Sequence, residues 1–258
     1  MKKTIAFAIA VVLLVCFFAT EIGAESSQSW YCKRNAEHKQ PVADANMRYI
    51  EQYNGYYVDH RHGDDSTDKV IYLTFDAGYE NGNVAKILDV MKEKNVKGAF
   101  FILQNLIVKN TSLVKRMSDE GHLVCNHTST HADMSKKTSE EEFRAELDAL
   151  ERVYKEYTGL EMSKYFRPPE GRFSVDMMKT ASNLGYKTVF WSFAYADWDN
   201  NAQMSAESAK QKILDNVHNG EIMLLHPTSA TNAEILGEII DELRAQGYRF
   251  GTLDELTA

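Results

Sequence analysis

Beyond residue 69 the chain alternates between two hydrophobic patterns. One is a short run of apolar and β-branched or aromatic residues, found at 70–75 (VIYLTF), 98–103 (GAFFIL), 122–125 (HLVC), 165–166 (YF), 187–193 (KTVFWSF), 221–225 (EIMLL) and 248–251 (YRFG). Runs of this kind, bounded by polar residues, read as buried strands. The other pattern spaces apolar residues by three and four, as in Val84, Ile87, Leu88 and Met91, and predicts helices over 84–95, 112–120, 139–157, 175–184, 206–217 and 232–245. Thr138 or Ser139 opens the third of these, with glutamates in its first turn. Strands that alternate with helices need crossover connections, which predicts an α/β fold with a parallel sheet of about seven strands. A barrel and an open doubly wound sheet both satisfy the pattern.

The earlier residues differ. Trp30, Tyr31, Tyr49, Tyr53, Tyr56 and Tyr57 are scattered among charges over 25–68 with no sustained period. This stretch reads as an aromatic extension leading into a single domain over 69–258. Within it 60–68 (HRHGDDSTD) reads as an exposed loop, although two histidines near aspartates are also metal-binding residue types. Residues 1–24 open with Lys2 and Lys3, run without charge through 5–18 and end in Ile22-Gly23-Ala24, the layout of a secretory signal. The run is shorter than the ~20 residues of a full membrane span. A cleaved signal and a retained anchor are the two readings. Either places the protein outside the cytoplasm, with membrane contact through this segment alone.

Composition narrows the partners. The chain has 258 residues, 44% apolar and 26% charged, an ordinary globular balance that can bury a core without disulfides or metals. A net charge of −8 argues against a nucleic-acid partner. Beyond the N-terminal segment two cysteines remain, Cys32 and Cys125, expected as free or buried thiols although export would allow a disulfide. No glycine-rich dinucleotide or phosphate loop follows any strand.

Candidate chemistry gathers at one end of the predicted strands. Asp76 follows 70–75, Asn126 and His127 follow 122–125, Arg167 follows 165–166, Asp197 lies just past 187–193, and His226 follows 221–225. In parallel α/β folds the carboxyl ends of the strands carry the site. His127 and His131 are four apart, which on a helical turn puts both imidazoles on one face, able to chelate a divalent ion. Asp76 suits a helix cap or a general base. Arg167 suits a structural salt bridge, or a bidentate contact that keeps Asp76 ionised. Asp197 and His226 suggest a pair in which the carboxylate fixes the tautomer and keeps the imidazole protonated as a general acid. The set lacks a placed serine or cysteine nucleophile and suits metal-assisted hydrolysis of an amide or ester.

Five segments, TFDAGYENG (74–82), HTSTH (127–131), RPPEG (167–171), ADW (196–198) and LLH (224–226), occur in order and resemble the five motifs of the NodB-type polysaccharide deacetylases, carbohydrate esterase family 4. The likeness spans about 70–256 and implies a distorted, incomplete (β/α) barrel of about seven strands, the NodB-homology fold, acting as a monomer. It implies that Asp76 is the base, that Arg167 holds it, and that His127 and His131 bind a divalent metal, Zn2+. It further implies that Asp197 orients His226 and that His226 protonates the leaving amine. Tyr79, Glu80 and Asn81, then Pro169 and Arg172, then Trp198 and Leu224 would line the substrate groove, Leu224 beside the acetyl methyl. One position departs from the family pattern. Ala77 stands where a second aspartate would be the third metal ligand, and a methyl group binds no metal.

GYENG (78–82), RPPEGRFS (167–174) and the lead-in SWYCKRN (29–35) resemble the muramic acid deacetylases of spore-forming bacteria, which also vary that aspartate and make the muramic δ-lactam of the spore cortex. The expected reaction is therefore removal of the N-acetyl group from N-acetylmuramic acid in the glycan strands of peptidoglycan. A chitin- or xylan-type deacetylase or acetyl esterase, and a catalytically silent glycan binder, are the alternatives.

Overall fold

The computed structural model describes residues 27–34, 37–137 and 139–258. Its elements are β1 (Gln28–Ser29), β2 (Gly55–Tyr56), β3 (Lys69–Ala77), α1 (Asn83–Glu93), β4 (Ala99–Ile102), α2 (Gln104–Lys109), α3 (Thr111–Asp119), β5 (Leu123–Asn126), α4 (Glu140–Thr158), β6 (Ser163–Phe166), β7 (Arg172–Phe173), α5 (Val175–Asn183), β8 (Lys187–Val189), α6 (Ala206–Leu214), β9 (Glu221–Leu225), α7 (Ala230–Ala245), β10 (Tyr248–Gly251) and α8 (Leu253–Leu256). The expected signal or anchor at 1–24 lies outside the described residues. Among the described residues no helix is long and apolar enough to cross a membrane.

The pairing grows outward from β3. One edge of β3 takes β9, and the other is shared end to end by β10 and β4. From β4 the sheet continues through β5, β6 and β8, all parallel, with the two-residue β2 added beyond β8. Just past β8, Phe193 bridges in parallel to Met223 of β9, and the Leu224 N–H donates to the Phe193 carbonyl at 2.9 Å. The sheet thus curls until its ends touch. Seven parallel strands, β3 to β6 and β8 to β10, form the incomplete (β/α) barrel that the alternating pattern and the five motifs imply. The predicted strand over 187–193 is regular only to Val189, because the chain beyond it swings across to make this closing contact. The short helix α2, between two predicted elements, has no counterpart in the sequence reading.

Strand alternation sorts the side chains of β3 onto two faces. Ile71, Leu73, Phe75 and Ala77 face the helices, packing with Val84, Ile87, Leu88 and Met91 of α1 and with the apolar stripe of α7. Val70 and Tyr72 face the barrel interior with Phe101, Cys125, Val189 and Ile222, where Leu253 and Leu256 of α8 fill the space. Thr74 and Asp76 continue the inward face toward the carboxyl end of the strand. The long helix α4 starts at Ser139, whose hydroxyl accepts the Glu142 N–H, and ends at Gly159 in the left-handed region.

The aromatic stretch before β3 is built into the same body. Trp30 packs on Tyr57, Phe173 and Phe190 and donates its indole N–H to the Trp191 carbonyl at 2.8 Å. Next to it β1 pairs antiparallel with β7. Ala43, Met47 and Ile50 share a core with residues of α4 and α5. The HRHGDDSTD segment lies on the surface, as its composition suggests, with none of its nine residues buried, and it is anchored through the residue before it. Asp59 is buried and accepts from the Tyr72 hydroxyl (2.6 Å), Arg61 Nε (3.1 Å) and His62 Nδ1 (2.8 Å), because a carboxylate taken out of water must be given donors. Cys32 and Cys125 are both free thiols, as expected, with Cys125 inside the barrel.

One buried acid has an incomplete set of donors. Glu221, at the start of β9, accepts from the His218 backbone N–H at 3.2 Å through Oε2, while Oε1 has no partner. Burial pushes its carboxyl well above the ordinary range. A carboxyl with a raised folded-state pKa costs stability as pH climbs from the unfolded pKa, about 4.3, through the raised value. Glu221→Gln keeps the acceptor and removes that cost. Its stability gain in urea melts is expected to be small near about pH 5 and larger near about pH 8; equal gains at both would contradict this account.

Candidate active site

Asp76 is the penultimate residue of β3, and Arg167 follows β6 directly. Arg167 has no exposed surface, and every arm of its guanidinium is used. Nη1 donates to Asp76 Oδ1 (2.8 Å), Nη2 to Thr74 Oγ1 (2.8 Å) and the Phe190 carbonyl (3.1 Å), and Nε to the Val189 carbonyl (2.9 Å). The Phe101 ring lies under it, 4.2 Å from Cζ to the ring centroid. The contact with Asp76 therefore runs through one oxygen rather than both, because the second arm is committed to Thr74 and a backbone carbonyl. Asp76 Oδ2 is left facing the pocket, 3.6 Å from His127 Nε2. Burial works to raise the Asp76 pKa, but the positive charge of Arg167, then that of His127 and His226, outweighs it and holds the carboxyl below its usual range.

The two histidines of HTSTH do meet, with ring centroids 5.2 Å apart, but not on a helical turn. Residues 127–131 form a loop that doubles back through left-handed conformations at Thr128 (φ 70°) and His131 (φ 63°). Its shape is imposed by side chains. Asn126 Oδ1 accepts the Thr128 N–H, the Thr128 hydroxyl accepts the Ala132 N–H, and Glu146 of α4 holds the Thr130 N–H and hydroxyl. His127 Nδ1 lies 2.8 Å from the Arg167 carbonyl and must carry a proton to donate to it, which leaves Nε2 with its lone pair toward Asp76. Burial is the main cause that pulls the His127 pKa down to about 4, against the opposing charge of Asp76, so the ring is neutral at physiological pH.

The third group lies across the pocket. Asp197 is buried, and its Oδ1 lies 2.7 Å from His226 Nδ1 while Oδ2 accepts the His226 backbone N–H at 2.8 Å. Burial works to lower the His226 pKa, but the hydrogen bond and charge of Asp197, with a further contribution from Asp76, raise it above the ordinary value. Trp198, 60% exposed, stands edge-on to the His226 ring at 6.1 Å.

These three groups, an aspartate, an imidazole pair and an aspartate-bound histidine, gather at one end of the barrel, and known proteins share its fold. Residues 63–189 match the family model described as polysaccharide deacetylase. The chain is 42% identical over 230 residues to the peptidoglycan-N-acetylmuramic acid deacetylase PdaA of Bacillus subtilis, covering 88% of this chain and 85% of that one. The solved structure of Bacillus subtilis PdaA, a family 4 carbohydrate esterase, superposes with a TM-score of 0.83 at 39% identity, covering 89% of this chain and 96% of that one. A family 4 pseudoenzyme from Bacillus anthracis superposes with a TM-score of 0.69 at 28% identity over 79% of this chain and 69% of that one. The chain belongs to the polysaccharide deacetylase family.

Within this polysaccharide deacetylase the remaining groove candidates take distinct places. Tyr79 is 43% exposed, and its hydroxyl accepts from Asn200 across the pocket mouth. The Glu80 carboxylate caps α1, accepting the N–H groups of Gly82 and Val84, and Asn81 donates to the Thr228 carbonyl. Pro169 and Leu224 are buried, and Arg172 is paired with Asp133 and Glu170. Thr74 escaped the sequence reading. Its only signal was a hydroxyl two residues before Asp76, on the inward face of an otherwise apolar strand.

The donor set for a metal is short by one. Ala77 lies on the helix-facing side of β3, in the apolar layer, and among the described residues no three His, Cys, Asp or Glu side chains are grouped to hold an ion. His127 and His131 fit a two-point site that solvent or substrate would complete. Arg167→Ala should strip partners from Asp76, Thr74 and two buried carbonyls, costing about 3–5 kcal/mol of stability in denaturant melts. A loss below about 1 kcal/mol would show that the guanidinium is dispensable to the fold.

Proposed function

We propose that this polysaccharide deacetylase hydrolyses the N-acetyl group of N-acetylmuramic acid residues in peptidoglycan, with Asp76 as general base and His226 as general acid. The observation that carries the reading is the opposed pairing of those two groups, Arg167 Nη1 on Asp76 Oδ1 at 2.8 Å and Asp197 Oδ1 on His226 Nδ1 at 2.7 Å, contacts that lower the first pKa and raise the second. The choice of sugar is supported by the 42% identity to an enzyme named for that substrate.

In this reading Asp76 Oδ2 takes a proton from the water whose oxygen attacks the acetyl carbonyl carbon. The carbonyl oxygen becomes an oxyanion, for which the Tyr79 backbone N–H is the candidate donor. The tetrahedral carbon then expels the sugar nitrogen, which takes the proton of His226 Nε2, and acetate and a free amine leave. Asp197 holds Nδ1 so that Nε2 is the donor. A divalent ion, Zn2+ in the family resemblance, would be held by His127 and His131 and would supply Lewis-acid polarisation of the acetyl group. Exposed Trp198 and Tyr79 offer apolar faces for a sugar ring, and Leu224 an apolar contact for the methyl.

The finer reading is synthesis of muramic δ-lactam in the spore cortex by an exported enzyme. Deacetylation leaves an amine and a lactyl carboxylate on the same sugar, the pair a lactam ring needs. A chain of charge −8 also suits glycan strands free of added anionic polymer. A silent glycan binder is the second reading, favoured by Ala77 and by the structural likeness to a pseudoenzyme. The complete set of Asp76, Arg167, Asp197 and His226 favours the enzyme.

Acetate release from muramoyl glycan, with chitooligomers as the competing substrate, tests the proposal. Asp76→Asn and His226→Ala should each lower turnover by about 10²-fold or more; near-normal turnover in either removes its assigned role. Activity requires Asp76 ionised and His226 protonated, so kcat/KM should rise at a pH below the usual carboxylate range. It should fall only above the ordinary histidine pKa, near 6.5. Asp197→Asn removes the charge that raises His226, so the alkaline limb should move down; an unmoved limb would assign it to another group.

A further inference from the structure

Asn232, in the first turn of α7, is 1% exposed, and its amide is used at both ends. Oδ1 accepts the Tyr195 hydroxyl. Nδ2 donates to Asp197 Oδ2 at 2.6 Å and to the His226 carbonyl at 3.1 Å. The Asp197 carboxylate and the His226 carbonyl can only accept, so they fix the NH2 end toward themselves, and the Tyr195 hydroxyl donates to the carbonyl end that remains. Gln203 donates to the backbone carbonyls of Asp197 (2.9 Å) and Asp199 (2.8 Å), and Ser229 donates to Gln203. Those bonds hold main chain. Asn232 reaches the carboxylate itself.

The result is a divided carboxylate. Oδ2 takes two N–H groups, from the His226 backbone and from Asn232, and cannot turn away; Oδ1 is left to the imidazole. We propose that Asn232 is a positioning residue for the acid step, locking the Asp197 carboxylate and the His226 main chain into one arrangement and drawing off part of the carboxylate's charge. The inference rests on the His226–Asp197 pair acting as the acid in the deacetylation above.

The charge effect has a sign. His226 is faced by Asp197 from the loop after β8, by Asp76 from β3 and by Arg167 from the end of β6, and Tyr195 acts on Asp197 rather than on the ring. A hydrogen bond donated to Asp197 weakens the carboxylate's hold on the imidazole proton. Its loss should tighten that hold, whereas loss of the Asp197 charge should relax it. Asn232→Ala and Asp197→Asn are therefore expected to move the alkaline limb in opposite directions, which a general loosening of the loop would not do.

Acetate release from muramoyl glycan is measured across pH for wild type, Asn232→Ala, Tyr195→Phe and the double variant, with thermal melts and an NMR titration of the His226 ring for each. Asn232→Ala should lower kcat by about 10- to 100-fold, leave KM within about twofold, and shift both the alkaline limb and the His226 midpoint to higher pH. Tyr195→Phe, which keeps the amide but removes the donor that holds its carbonyl end, should give a smaller effect and add nothing to Asn232→Ala. It also serves if Asn232→Ala does not fold. A folded Asn232→Ala with wild-type kcat and an unmoved His226 midpoint overturns the proposal, as does full additivity of the two substitutions. A wild-type protein that releases no acetate overturns the functional reading instead, and the NMR midpoint then decides the positioning role by itself.

Discussion

A guanidinium with no solvent contact must find partners for its N–H groups inside the protein, and around Arg167 the barrel supplies four acceptors. Its acceptors come from β3, from the end of β8 and from the residue after it, and its flat face rests on a phenyl ring of β4. The same bonds that satisfy a buried charge therefore tie the first strand of the barrel to the strands that curl round to meet it. They also fix one oxygen of Asp76 and leave the other free. The ties between these strands and the lowered pKa of Asp76 both depend on one side chain.

The His226 side has its own foundation. His226 follows the strand that pairs with β3, but its orientation comes from the loop after β8 and from the first turn of α7. Asp76 and His226 thus have different hydrogen-bond partners, which lets one pKa be lowered and the other raised within a single pocket. The aromatic extension supports the Arg167 side from behind. Trp30 and Trp191 press on Gly171, where a Cβ would lie 2.7 Å from the Trp191 ring, and the left-handed φ of 65° there also requires glycine. The turn that follows Arg167 is set by that contact.

The alternation of apolar runs and helical stripes was enough to give an α/β fold of about seven parallel strands and to place nearly every element within a few residues, while the barrel followed from the five motifs. Strand alternation and strand-end position were enough to collect Asp76, His127, Arg167, Asp197 and His226, because both are local properties of sequence. The failures have one cause. HTSTH was expected on a helical turn and is a loop, since Asn126 and Glu146 bend it by contacts that spacing does not encode. The Arg167 contact was expected to be bidentate, and Thr74 from the adjacent inward position took the second arm.

By itself, then, the sequence determined the class of fold, the end of the sheet that carries chemistry, the family and the missing aspartate at Ala77, because periodicity and residue type survive without coordinates. Tertiary structure decided which oxygen of Asp76 is free, which nitrogen of His127 faces the pocket, and that Asn232 and Tyr195 stand behind Asp197. Those are questions of direction between residues 35 to 91 positions apart. Only packing in three dimensions sets the direction of a hydrogen bond.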